Sequence, residues 1–259
     1  MDLGLEGRKA IICASTRGLG RACALSLARE GVDVVINGRS DTHFEEALAA
    51  IRATATGKVI AVAADITTAQ GRAKLIAACP DADILVNNND GPPPGNFQDW
   101  EEADWQRALE ANLLAPVFMI KGLIEGMKAR RFGRIVNITS AMVKAPRAVM
   151  GLSTTARSGL TAMCKGLSVD VAPFNVTINN MLPERFDTER QKQMARLVMQ
   201  FKKITYDEAR AEIAETIAAK RMGEPSEFGD ACAFLCSAQA GFISGQNLQL
   251  DGGSYPGLI

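Results

Sequence analysis

The chain has 259 residues, 47% hydrophobic and 22% charged, which suits one large globular domain spanning 1–259 with a full core. Lys plus Arg equals Asp plus Glu at 29 each, so bulk charge draws it to neither nucleic acid nor an anionic membrane. No apolar run approaches the roughly 20 residues of a membrane span, the start MDLGLEGRKA reaches charge before it builds a signal-peptide core, and six cysteines without a CxxC pair read as small hydrophobes, which implies a cytoplasmic protein with no metal site.

Apolar β-branched runs alternate with helical spacing along the chain. Residues 9–14 (KAIICA) read as a strand and 18–30 as a helix. Residues 32–37 read as a strand, 42–54 as an Ala-rich helix, 59–64 as a strand and 74–78 as part of the next helix. A fourth strand at 84–87 precedes one long helical stretch over 100–127. Strands at 134–138 and 176–181 flank a helix over 152–171. A polar helical segment over 188–219, a helix over 226–238 and a seventh strand at 246–250 complete the chain. This pattern predicts an α/β fold, a doubly wound parallel sheet with helices on both faces. The polar segment fits a solvated helix face or, with its flanks (184–222), a substrate lid.

The first predicted strand runs into Cys13-Ala14-Ser15-Thr16-Arg17-Gly18-Leu19-Gly20 and then a helix. Two glycines at such a turn let backbone approach a pyrophosphate at the helix N-terminus, although an ordinary turn reads the same way. Ala14 fills the first position of a GxxxGxG pattern and adds a Cβ where a tight turn wants none. At the end of the second strand, where a NAD site carries an acid for the ribose 2′-hydroxyl, the sequence is Asn37-Gly38-Arg39-Ser40. Arg39 with Arg17 suits a 2′-phosphate, which favours NADP over NAD, unless both arginines are merely solvated. Asp65 is placed to bond an adenine amino group or to cap the next helix, and the Asn87 amide to tie neighbouring strands.

The stretches ASTRGLG, Asp65, VNNN at 86–89, the helix carrying Asn112, RIVNITS, VTINNMLP, Thr188, RMGEP and ISGQNLQLDGG together resemble the short-chain dehydrogenase/reductase family over nearly the whole chain, with a likeness to 3-oxoacyl-acyl-carrier-protein reductases. The resemblance implies a Rossmann-type seven-stranded sheet, a nicotinamide cofactor, a small-molecule substrate and a homotetramer or homodimer. In that assembly the helix with Leu160, Met163, Cys164, Leu167 and Val171 packs against its symmetry mate, although core packing explains this spacing equally well. The implied cofactor contacts are Ser15, Thr16, Arg17, Gly18, Leu19, Gly20, Arg39, Asp65, Ile66, Asn88, Arg157, Pro183 and Thr188.

The family's catalytic Asn, Ser, Tyr and Lys fall on Asn112, Ser140, Ser153 and Arg157, with the Ser-to-Tyr and Tyr-to-Lys spacings kept. Asp90 and Glu184 also replace glycines of the family pattern. In the family, the Lys holds the nicotinamide ribose and depresses the Tyr pKa; an ordinary Tyr titrates near 10. Ser is a far weaker acid, and Arg stays charged. Ser153 can therefore position a carbonyl, and Arg157 can anchor a ribose or a carboxylate, but neither simply replaces the phenol. Lys144, if desolvated beside Arg147 and Arg157, is one substitute, although it reads equally as a surface lysine; Asp90 as a base at the nicotinamide end is another, although a cap or turn residue reads the same way. His43 reads as a bystander, while Tyr206 and Tyr255 would reach a site only on closure or from another subunit. The expectation is an NADP(H)-dependent oxidoreductase interconverting a carbonyl and an alcohol with a non-standard proton relay. The alternative is a non-redox or catalytically silent member that keeps the fold.

Overall fold

The computed structural model describes residues 2–40 and 42–258. Seven strands, β1 Lys9–Ile12, β2 Asp33–Gly38, β3 Val59–Ala63, β4 Ile84–Asn87, β5 Gly133–Ile138, β6 Val176–Pro183 and β7 Asn247–Leu250, form one sheet in the order β3-β2-β1-β4-β5-β6-β7. Every neighbouring pair is parallel. The helices are α1 Gly18–Arg29, α2 Phe44–Arg52, α3 Ala69–Ala78, α4 Glu102–Leu109, α5 Ala115–Arg130, α6 Gly151–Val171, α7 Glu189–Lys202, α8 Tyr206–Glu215 and α9 Pro225–Cys236.

Successive strand residues point to opposite faces, so each apolar run feeds two cores. Ala10, Ile12, Ile84, Val86, Val136 and Ile138 join one core with Leu27 of α1 and Phe228 of α9. Ile11, Leu85 and Ile135 join the other with Leu75 of α3, Met119 of α5 and Leu160 of α6. Leu160, Cys164 and Val171 are buried there, and Met163 and Leu167 pack against them. Core packing within one chain thus accounts for that helical stripe. The crossovers from β1 and from β4 lie on opposite faces. A crevice therefore opens at the carboxyl ends of these two adjacent strands.

Two expected helices are broken. The stretch over 100–127 divides into α4, a π-helical turn at Glu110–Leu114, and α5. The cause is Pro116, which has no N–H to give the carbonyl of residue 112 four positions back. The wide turn carries Asn112 into the crevice wall. The polar stretch over 188–219 is two helices with a core of their own, Ala195, Ile213, Ile217 and Met222, flanked by Val198 and Tyr206. Asp187 clasps Arg210 of α8 through two bonds of 2.9 and 2.8 Å, and a Thr205/Glu208 capping box starts α8.

Four asparagines on adjacent strands stand in register across β4, β5, β6 and β7: Asn87, Asn137, Asn180 and Asn247. Each of the first three donates its side-chain Nδ2 to the next one's Oδ1, at 2.9, 2.9 and 2.8 Å. Asn87 ties strands as its position suggested, and the ladder reaches the β7 edge. All six cysteines are buried and free. Among the described residues, no helix is long and apolar enough to cross a membrane.

Candidate active site

At the adenosine end of the crevice, β1 passes into a turn that needs its glycines for two different reasons. Gly18 has φ +58°, in the left-handed region, whereas Gly20 is packed so tightly that a Cβ would lie 2.4 Å from the Ala14 carbonyl oxygen. Ala14 itself adopts φ +45°, so the missing first glycine leaves strain rather than a different turn. Asn88 donates to the Ala14 carbonyl at 3.1 Å and buttresses the turn. Helix α1 then begins with no acidic residue in its first turn and no side-chain cap from Arg17. Its free N–H groups make an anion seat. The residues present therefore suit a dinucleotide pyrophosphate.

Several residues expected to touch a cofactor have side chains engaged within the fold. Ser15 is fully buried; its Oγ donates to the Ile12 carbonyl at 2.7 Å and accepts from the Asn37 N–H at 2.9 Å. The Ile66 side chain lies in one core, Leu19 packs against the other, and Thr16 Cγ2 would stand 2.9 Å from a Cβ on Gly38. Asp65 is not the helix cap: its Oδ1 accepts from the Thr67 N–H and hydroxyl at 2.9 and 2.7 Å, while Thr68 caps α3. Arg17 and Arg39 are exposed at the crevice mouth, and both face Asp90, at 3.8 and 3.0 Å. Asp90 therefore brings its carboxylate to the adenosine end, not to the nicotinamide end.

At the other end, Ser153 and Arg157 sit on α6, both buried, one helical turn apart. Arg157 donates from Nε to Ser153 Oγ at 3.2 Å, from Nη1 to the Ile138 and Thr139 carbonyls at 2.6 and 2.9 Å, and from Nη2 to the Asn89 carbonyl at 3.4 Å. Among the described residues, no carboxylate pairs with it. Burial, then the nearby charge of Arg190, push the guanidinium down to about 10 against the pull of Asp90, and it stays protonated at neutral pH. Asn112 reaches the Asp90 carbonyl at 3.4 Å, and Ser140 Oγ accepts from the Met142 N–H at 3.2 Å at the end of β5.

Two neighbours were not legible as site residues. A Cβ on Gly91 would stand 3.3 Å from Arg157, 3.4 Å from Arg190 and 3.8 Å from Ser153 Oγ, so the start of the 91–95 loop lies directly on this pair. Arg190 of α7 donates to the Gly91 and Pro92 carbonyls, both at 3.3 Å, and holds the loop down. The double glycine flanking three prolines was the available signal. Lys144 does not join an arginine cluster: its ammonium lies 5.6 Å from the Tyr255 ring centre, while Arg147 turns to Glu184 at 3.3 Å. Tyr206 packs on the core of the α7–α8 pair, and Arg210 lies over its ring. Pro183 ends β6, Thr188 precedes α7, and His43 precedes α2.

A profile of the family described as Enoyl-(Acyl carrier protein) reductase matches residues 13–255. The chain is 32% identical to the NADPH-dependent reductase BacG of Bacillus subtilis, covering 98% of this chain and 100% of that one. It is 28% identical to the 3-oxoacyl-[acyl-carrier-protein] reductase FabG of Vibrio cholerae, covering 98% and 99%. Among solved structures, the L-sorbose reductase of Gluconobacter frateurii, complexed with NADPH and L-sorbose, superposes with a TM-score of 0.94 at 27% identity over 100% of both chains.

Proposed function

The chain belongs to the short-chain dehydrogenase/reductase family, and on that premise we propose that it is an NADP(H)-dependent oxidoreductase that interconverts a carbonyl and an alcohol along a proton path without a tyrosine. One observation carries this reading: the crevice has a phosphate seat flanked by Arg17 and Arg39 at one end and a Ser153 hydroxyl backed by Arg157 at the other. NADPH-dependent reductases among the relatives support the cofactor.

When bound, the nicotinamide supplies hydride to the substrate carbon or takes it away. Gly18 and Gly20 bring the start of α1 against the pyrophosphate, and the two arginines take the 2′-phosphate. Ser153 Oγ accepts the Arg157 Nε–H, so its own proton is free to point at a substrate oxygen. Negative charge growing on that oxygen is stabilised by the Ser153 O–H and by the buried cation behind it. The growing alkoxide is about as basic as a serine alkoxide, so the Ser153 proton moves onto it only as another replaces it. Solvent supplies that proton to Ser153, and Arg157 keeps its charge throughout. Asn112 and Ser140 position this corner. The segment over 184–222 serves as the substrate lid, which Arg190 fastens to the 91–95 loop. A homodimer or homotetramer in the cytoplasm belongs to the same reading; Leu114, Phe118 and Val169, exposed at 38, 41 and 68%, support assembly.

The test is NADPH titration followed by turnover with a panel of ketones. Ser153→Ala is expected to lower kcat about a hundredfold with the NADPH Kd unchanged, in line with the usual size of a proton-transfer contribution. Absence of nucleotide binding at millimolar NADPH would refute the assignment. Undiminished kcat in Ser153→Ala would refute the proton path alone.

A further inference from the structure

We propose that Asp90 sets the balance between NADPH and NADH, because its carboxylate occupies the 2′-phosphate seat between Arg17 and Arg39. The inference rests on the nicotinamide-cofactor reading above and concerns a residue outside the hydride and proton steps.

The end of β2 offers arginine but no acid, since residues 37–40 are Asn-Gly-Arg-Ser. The acid comes instead from the loop after β4, two strands away with β1 between. Its Oδ2 lies 3.0 Å from Arg39 Nη2 and 3.8 Å from Arg17 Nη2. Among the described residues, neither arginine forms another ion pair. Asp90 thus reaches across the crevice that a dinucleotide must enter. Its backbone is held in place there. The N–H donates to Asn89 Oδ1 at 2.9 Å, and the carbonyl accepts from the buried Asn112 amide at 3.4 Å. Only the side chain is free to give way.

The two cofactors make different demands on this trio. A 2′-phosphate is a dianion that takes both guanidiniums, and it leaves Asp90 unpaired beside a like charge. A ribose 2′-hydroxyl competes for neither arginine and can donate to the carboxylate. Asp90 therefore disfavours NADPH and leaves NADH unhindered. It performs from β4 the acid's part that the end of β2 lacks. The three side chains are 57, 61 and 68% exposed, so solvent and salt screen them and the effect is about five- to tenfold in Kd.

The experiment measures Kd for NADPH and NADH by fluorescence at about 0.1 M salt in the full chain, Asp90→Asn, Arg39→Gln and the double variant. Asp90→Asn is expected to tighten NADPH about five- to tenfold while NADH stays the same or weakens. In the Arg39→Gln background that gain should fall below about twofold. An unchanged NADPH-to-NADH ratio in Asp90→Asn overturns the proposal. So does equal tightening of both nucleotides, which would make Asp90 a plain obstruction, and so does a gain that survives Arg39→Gln. Failure of every protein to bind either nucleotide removes the cofactor reading itself, a different result from binding with an unmoved ratio.

Discussion

Replacing Arg157 separates the geometry of its fork from its charge. Burial holds its pKa at about 10, well below the usual guanidinium range, a penalty on the charged form of roughly 3 kcal/mol. Against this stand four donated hydrogen bonds, three of them to carbonyls of Ile138, Thr139 and Asn89. Arg157→Met abandons those carbonyls, at roughly 1–2 kcal/mol each, but also removes the buried charge. The net loss is about 1–2 kcal/mol. Arg157→Lys keeps a buried charge of a more strongly hydrated kind, and its three donors radiate from one nitrogen that cannot span acceptors on β5 and the 89–91 loop together. It should lose about 2–3 kcal/mol. The family-like residue alone is then the more damaging change. Urea unfolding reads the difference directly, and thermal scans should show about 2 °C per kcal/mol at this chain length. A Lys variant more stable than the Met variant by 1 kcal/mol or more, on the order of the effect itself, would refute the fork argument.

Three further outcomes follow from other contacts. Gly20→Ala drives a Cβ to 2.4 Å from the Ala14 oxygen and 2.8 Å from Asn88 Nδ2, so NADPH affinity should fall at least about tenfold, measured by titration, with about 1–3 kcal/mol lost in unfolding. Asn137→Leu strands the Asn87 amide and the Asn180 oxygen inside the sheet and should cost about 2–4 kcal/mol in urea unfolding; a loss under about 0.5 would mean the ladder is passive. Glu227 is held down to about 2 by Arg221, at 2.8 and 2.6 Å, and by the Glu224 N–H. Its folded pKa is depressed, so its stabilisation is complete above the usual carboxylate range and is lost as pH falls through about 2. Glu227→Gln should flatten part of the stability slope below pH 4.5, read by unfolding at stepped pH.

The strands were legible because burial on both faces forces unbroken apolar runs, and β4 was placed to the residue. The adjacency of Ser153 and Arg157 was legible through their four-residue spacing on one helix. The division at Glu110–Leu114 was hidden because Pro116 is acceptable at a helix start, so its effect on residue 112 shows only when α4 and α5 are seen as nearly continuous. Asp90 was harder still. Reading the end of β2 for an acid searches the wrong segment, because the carboxylate arrives from across β1, and no local pattern encodes that reach. Lys144 fails for a related reason: proximity along the loop did not fix direction, and the side chain goes to Tyr255.

The asparagine ladder has a direction. Every amide passes its hydrogen from β4 toward β7, so reversing one alone would set nitrogen against nitrogen on one side and oxygen against oxygen on the other. The row turns together or not at all. Its spare oxygen, Asn87 Oδ1, is buried without a partner, and Asn87 lines the same small cavity as Asn112 and Arg157. A negative pole thus belongs to a residue that shares this cavity with the buried cation, and its sign is fixed by amides stretching to the far edge of the sheet. Asn247, three strands from the crevice, helps set the polarity of its floor.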